Sequence, residues 1–275
     1  MGFFLNYDKK CIFSSIKEKK KVEEHFIRSW KDKEGNNLLH RAVIDQERAV
    51  IEYLSGFDYL VKEKNHFDLT PQQLSGYLIP HKINSAQYDK IAREYEIEIV
   101  PAIVFESYTL LKKVLKRHRK ALKKDQIDRR QKWLGAYWQK DIFEPKLNKV
   151  EIKWIDEIKG NGLFAKQNIL EGSFIGEYGG VIRKPNAQLD KSNSYCFDYP
   201  LNFFVSTKLL IDAQLCGNIT RFINHSYKPN LISTMAFYNG VNHIVFLANR
   251  DIEKGEELRY DYGPNYWSER DRPIE

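Results

Sequence analysis

Cysteine is scarce in this chain. The three in its 275 residues, Cys11, Cys196 and Cys216, are too far apart for a disulfide framework or for a zinc site made of cysteine alone. That scarcity fits a reducing compartment. Long apolar runs are also missing: no window approaches the roughly 20 apolar residues that span a bilayer, and the apolar start at Gly2–Leu5 soon turns polar. The expectation is a soluble intracellular protein with no membrane contact, suited to a nucleus, its own or a host's. Composition gives no case for disorder either. Hydrophobic residues at 42% and charged residues at 29% lie near globular averages, with enough apolar side chain for a buried core.

Acidic residues are nearly absent from one stretch. Between Lys112 and Lys132 there are 11 Lys or Arg against Asp125 and Asp128, so this stretch carries +9 and the rest of the +7 chain about −2. Such a cluster can meet nucleic acid, anionic lipid or an acidic protein face. Residues Glu106 to Gln139 read as one long helix, because Tyr108, Leu111, Leu115 and His118 or Leu122 recur at three- and four-residue steps. Its basic side is either a solvated face of a connecting helix or, through residues 112–132, a contact for DNA or an acidic surface. Trp133, Tyr137 and Trp138 are expected to anchor the helix to a neighbouring core.

In front of it, Gly35, the run Leu38-Leu39-His40-Arg41-Ala42-Val43, a second apolar helix ending at Ser55-Gly56, and then Asn65 and Thr70-Pro71 follow one another. They resemble the turn, helix pair and Thr-Pro helix start of an ankyrin repeat, over one repeat and the opening of another. A plain helical hairpin with Thr70 as N-cap and Pro71 at the first helical position gives the same pattern.

After Pro145 the texture changes to short β-rich runs: Val150 to Ile155, Gly162 to Ala165, Ser173 to Val181, Tyr195 to Tyr199, Leu209 to Asp212, Leu231 to Tyr238, His243 to Ala248 and Leu258 to Tyr260. Four clusters carry the chemistry. Lys159-Gly160-Asn161-Gly162-Leu163-Phe164-Ala165 puts two glycines where a backbone can approach a ligand closely, or simply turn. Gly176-Glu177-Tyr178-Gly179-Gly180-Val181-Ile182 follows. Then come Ile211-Asp212-Ala213, Gly217-Asn218 and Arg221-Phe222-Ile223-Asn224-His225-Ser226-Tyr227-Lys228-Pro229-Asn230, where Asn beside His in an apolar context demands partners or a ligand. Last is Gly255-Glu256-Glu257-Leu258-Arg259-Tyr260-Asp261-Tyr262-Gly263, whose two tyrosines would share a strand face.

In this order the clusters resemble the SET family of protein-lysine methyltransferases, over Lys159 to Gly263. The resemblance implies S-adenosyl-L-methionine as cofactor and a protein substrate with an exposed lysine, histone or nucleosome among the candidates. The fold class is then α+β multidomain: a helical ankyrin-like region at 1–104, a basic connecting helix at 105–145, and at 146–275 a mostly-β SET domain of small sheets with a threaded, pseudoknotted C-terminal segment.

It also implies roles. Tyr262 would place its hydroxyl near the transferring methyl, Tyr260 occupies the family's Phe/Tyr switch position, and Tyr195 would line the lysine channel. Lys159, Gly160, Asn161, Gly162, Leu163, Arg221, Phe222, Asn224, His225, Tyr262 and Trp267 would hold the cofactor. Tyrosine at the switch is similar to enzymes that stop at one or two methyls. The family's zinc site is not implied, since Tyr227 stands at a usual cysteine position and no cysteine follows Gly263. Tyr266 and Trp267 are candidates to close the site instead. Two other readings remain: an ankyrin and SET module that binds partners with little turnover, and a nucleic-acid-binding protein working through the basic helix.

Overall fold

The computed structural model describes residues 8–20, 22–80, 83, 85–144, 147–200, 209–264 and 266–269. The front is helical, with Leu38–Ile44, Arg48–Leu54, Pro71–Leu78 and Ala86–Glu94 as its main helices. Asn37 and Thr70 each close a capping box, with His40 and Gln73 as reciprocal partners. The turns before these two helices are tied together, because Asn65 Nδ2 donates to Asn36 Oδ1 at 2.8 Å and His40 Nε2 lies 2.8 Å from the Leu69 carbonyl.

The β half is built of small sheets. Its best-buried strand, Val241–Ala248, has no exposed position and sits between Leu231–Tyr238 and Phe174–Glu177, antiparallel to both. Asn239 and Gly240 both take positive φ in the turn between the first two, which suits a tight hairpin and fixes its register from Leu231↔Ala248 to Tyr238↔Val241. A second hairpin pairs Val150–Asp156 with Gly160–Ala165. Asn224–His225 runs parallel to Arg259–Tyr260 as a two-stranded unit.

The remaining sheet corrects the expectation of a purely helical region before residue 104. Glu98–Ile99 pairs parallel with the end of Leu210–Gly217, and Ile103–Phe105 pairs parallel with Gly180–Arg183. The front thus supplies two strands to a sheet whose other members lie in the β half. One hydrophobic core runs through Val43, Tyr77, Leu111, Leu115, Ile211, Phe246 and Tyr260, so the packing is continuous across residue 145. A separate core of Ile12, Ile27, Leu38, Leu54 and Leu60 holds the first helices together.

The long basic helix is two helices, Tyr108–Lys123 and Arg129–Tyr137. Asp125 takes φ 50°, which ends the first, and the Asp128 carboxylate accepts from Arg130 N at 2.6 Å to start the second. Neither Gly nor Pro marks that break in the sequence. The expected anchoring also divides: Trp138 packs on Phe174 with ring centroids 5.2 Å apart, whereas Trp133 and Tyr137 are exposed and stack on each other at 4.9 Å. Leu134 and Gly135 take the inward face in their place.

Candidate active site

The glycine-containing loop is shaped by Asp156. Its carboxylate accepts from Ile158 N at 2.9 Å and Lys159 N at 2.7 Å, which bends the chain into Gly160 at φ 68°. At Gly162 an added Cβ would come within 2.6 Å of Ile155 Cδ1 and 3.0 Å of Glu257 Oε1, so glycine is needed for close packing. The loop is thereby pressed onto the C-terminal motif.

The Asn-His string locks these parts together. Asn218 is buried and donates to the Glu177 carbonyl at 2.9 Å and to the Pro101 carbonyl at 3.1 Å. Asn224 Nδ2 donates to the Asn161 carbonyl at 3.2 Å and to Glu257 Oε1 at 2.9 Å. The amide of Asn224 therefore positions the glycine loop. His225 Nδ1 accepts from Tyr262 N at 3.1 Å, and Ser226 N donates to the Tyr260 carbonyl at 3.1 Å.

Around them stands an aromatic cage. The ring of Tyr262 lies 4.7 Å from Tyr260, 5.3 Å from His225 and 4.6 Å from Tyr266, and stacks on Trp267 at 6.0 Å. Tyr262 Oη donates to the Ile223 carbonyl at 2.9 Å. Burial pushes the Tyr262 phenol well above its ordinary value, and neighbouring Tyr266 adds to that. Burial does the same to Tyr260 and Tyr178, so all three hydroxyls stay protonated at neutral pH. Tyr178 Oη donates to the Tyr195 carbonyl at 2.9 Å, and the Arg221 guanidinium lies 3.7 Å over the Tyr195 ring.

Two cavities meet at this cage. The larger, about 650 Å³, is lined by Lys159, Gly160, Asn161, Tyr195, Arg221, Phe222, Asn224, His225, Tyr260, Tyr262 and Trp267 among the expected site residues. Gly162 and Leu163, also expected there, are not in its wall: Gly162 packs against Ile155, and Leu163 points into the core with no exposure. A strand alternates its faces, so a run of five consecutive loop and strand residues cannot all face one ligand. The smaller cavity, about 240 Å³, shares Cys196, Tyr260, Tyr262 and Tyr266 with the first and adds Asp190, Phe197, Asp198 and Leu210. Two buried donors in the wall of the larger cavity, Arg221 Nε and Trp267 Nε1, have no partner among the described residues.

Residues 160–263 match the SET domain family. The chain carries a SET domain. It is 38% identical over 112 residues to Histone-lysine N-methyltransferase 2B of Homo sapiens, covering 38% of this chain and 4% of that protein. It is 37% identical over 113 residues to Histone-lysine N-methyltransferase EHMT1 of Homo sapiens, covering 39% and 9%. To N-lysine methyltransferase KMT5A of Xenopus tropicalis it is 33% identical over 112 residues, covering 38% and 33%. The chain therefore spans at most a third of the length of these three relatives.

Several residues of the SET domain's site escaped the sequence reading. Glu257 orders Asn224 through its side chain and accepts from Asn230 Nδ2 through its carbonyl at 2.9 Å. Only its place beside the tyrosine motif could have flagged it. Tyr178, Cys196 and Ile223 line the larger cavity from segments quoted for other reasons. Tyr227 sets its ring edge-on to His225 at 4.5 Å, whereas Tyr266 and Trp267, the candidates to close the site, pack face to edge at 4.8 Å beside Tyr262.

Proposed function

We propose that this chain is a protein-lysine N-methyltransferase using S-adenosyl-L-methionine, acting on a lysine in a basic tail such as a histone's. The observation that carries the reading is the meeting of two cavities at Tyr260, Tyr262, Tyr266 and Cys196. Such transfer needs a donor and an acceptor that enter from different sides and align at one point.

The larger cavity fits the cofactor. The Arg221 guanidinium, with its unpartnered Nε, suits a carboxylate, the aromatic faces of Tyr262 and Trp267 suit a sulfonium or an adenine, and Lys159, Gly160, Asn161, Phe222, Asn224 and His225 complete the wall. When bound, the cofactor supplies an electrophilic methyl group. Tyr262, held protonated and donating to the Ile223 carbonyl, keeps oxygen lone pairs available for weak CH contacts and does not act as a base. Loss of water in the narrow smaller cavity, beside the positive charge that the bound cofactor would bring, would lower the substrate lysine's pKa from about 10.4.

Asp190, paired with Arg183 at 2.6 Å, and Asp198 are the carboxylates on that side. The Tyr260 hydroxyl narrows the space beside the amine, which favours mono- or dimethylation. The pairing of Asn224–His225 with Arg259–Tyr260 supports a threaded C-terminal segment. The tied, capped turns of the front support an ankyrin-like unit that selects partners.

The test is transfer of labelled methyl to histones, nucleosomes and cell lysate, with products read by mass. Tyr262→Phe is expected to lower transfer by about 100-fold or more, by analogy with loss of one transition-state contact. Tyr260→Phe is expected to shift products toward higher methylation. Absence of both transfer and cofactor binding in the wild type overturns the proposal.

A further inference from the structure

The largest concentration of positive charge is not at the methyl-transfer site. It lines a separate cleft of about 600 Å³ between the front's two turns and the helix Tyr108–Lys123. One wall is that helix, whose opposite face, Leu111, Val114, Leu115 and His118, is buried in the core or against its neighbours. Lys112, Lys116, Lys120 and Lys123 therefore project on a fixed scaffold, together with Arg119. The other wall is Lys33 and Glu34 from the first turn and His66 and Phe67 from the second.

Both walls are tied by hydrogen bonds. Asp32 accepts from Glu34 N and Asn36 N, His66 N donates to the Glu34 carbonyl at 2.9 Å, and a Cβ at Gly35 would touch the His66 ring at 2.6 Å. Arg119 Nη1 donates to the His66 carbonyl at 2.6 Å and Lys112 Nζ reaches Glu34 Oε1 at 3.2 Å, so the walls are clamped to each other. Glu34 is the one carboxylate among the nine lining residues, against six Lys or Arg. Lys33, Lys116, Lys120 and Lys123 make no ion pair among the described residues. A solvated helix face would spread its cations outward; here they converge with a lysine from another element on one concave surface.

The spacing selects the ligand. From Lys112 to Lys123 the helix rises about 16 Å, far longer than a single phosphate and comparable with several successive phosphodiesters. We infer that this cleft binds the phosphate backbone of duplex DNA, with Lys116, Lys120 and Lys123 neutralising successive phosphates and Lys33 meeting them from the opposite wall. Contacts of this kind are independent of base sequence. The site shares no lining residue with the methyl-transfer cavities and stands whether or not the chain transfers methyl groups.

The experiment is a fluorescence-anisotropy titration of a short mixed-sequence duplex against the full chain, repeated over a range of salt. The variant Lys116→Glu/Lys120→Glu/Lys123→Glu is compared with a control of equal charge change outside the cleft, Lys113→Glu/Lys124→Glu/Arg130→Glu. Thermal unfolding of both checks that they fold. The expected result is that the cleft variant loses affinity at least tenfold and its log–log salt slope becomes shallower by about 2.7, since each neutralised phosphate contributes about 0.9. The control is expected to lose much less. Equal losses in the two variants, no duplex binding by the wild type, or binding of a polyglutamate peptide or single-stranded RNA in preference to the duplex would each overturn the assignment.

Discussion

The β half and the helical front solve different problems with different residues. In the β half, glycines, buried amides and tyrosines are set by single close contacts, such as Asn224 Nδ2 to Glu257 Oε1 at 2.9 Å. In the front, the helices are held by apolar faces and caps, and close polar contacts such as Asn65 Nδ2 to Asn36 Oδ1 at 2.8 Å tie the turns before them. Yet the front lends two strands to the other half's sheet and shares its main core. The difference in texture thus coexists with one shared core and one shared sheet.

The strongest way to break that comparison is at the joint. His243 on the central strand Val241–Ala248 lies with Nδ1 2.7 Å from Glu177 Oε1 and Nε2 3.2 Å from Tyr77 Oη, which belongs to the front helix Pro71–Leu78. Both members of the His–Glu pair are fully buried. His243→Ala strands the carboxyl and is expected to cost about 3 to 5 kcal/mol in chemical denaturation, with the whole chain unfolding in one transition. Burial raises the Glu177 pKa, and His243 only partly offsets this. With the folded value raised, the stability from this group is complete below the unfolded value of about 4.3 and is lost as pH climbs through the folded value. Glu177→Gln should remove that loss, so its stability relative to the wild type rises with pH across that window.

A smaller break lies where the second basic helix crosses the hairpin. Gly135 would ordinarily be improved by alanine in a helix, by about 1 kcal/mol. Here an added Cβ would overlap the Phe237 carbonyl on the strand Leu231–Tyr238. Gly135→Ala is therefore expected to destabilise by about 1 to 3 kcal/mol, measured by denaturant midpoint. A gain instead would mean that the helix Arg129–Tyr137 does not rest on the β half.

What was legible follows the same division. The strand Leu231–Tyr238 is legible to its last residue, and Tyr195, Tyr260, Tyr262, Arg221 and the Asn224–His225 pair, which line the larger cavity, are legible through the resemblance of their motifs to the SET family. The two strands at Glu98–Ile99 and Ile103–Phe105 are not, since strands of two and three residues carry no periodicity and form only when a partner edge is present. The helix break at Asp125 is hidden because no Gly or Pro marks it between Leu122 and Arg130. The basic cleft was visible as charge, but its second wall at Lys33 and His66 comes from far along the chain and only the fold brings it near.

The gentlest test uses the cap at Thr70. Its hydroxyl accepts from Gln73 N at 3.3 Å while Gln73 Oε1 accepts from Thr70 N at 2.9 Å, which starts the helix that carries Tyr77. Thr70→Ala removes one half of this box and should cost about 1 kcal/mol, with Thr70→Ser recovering most of it. For a chain of this size that corresponds to a fall of about 2 to 4 °C in melting temperature. If front and β half unfold together, near-ultraviolet circular dichroism from the tyrosine cage and far-ultraviolet signal from the helices will move by the same amount. A helical signal that melts earlier, with the cage unmoved, would mean that Tyr77 and the shared strands hold only one side of the joint.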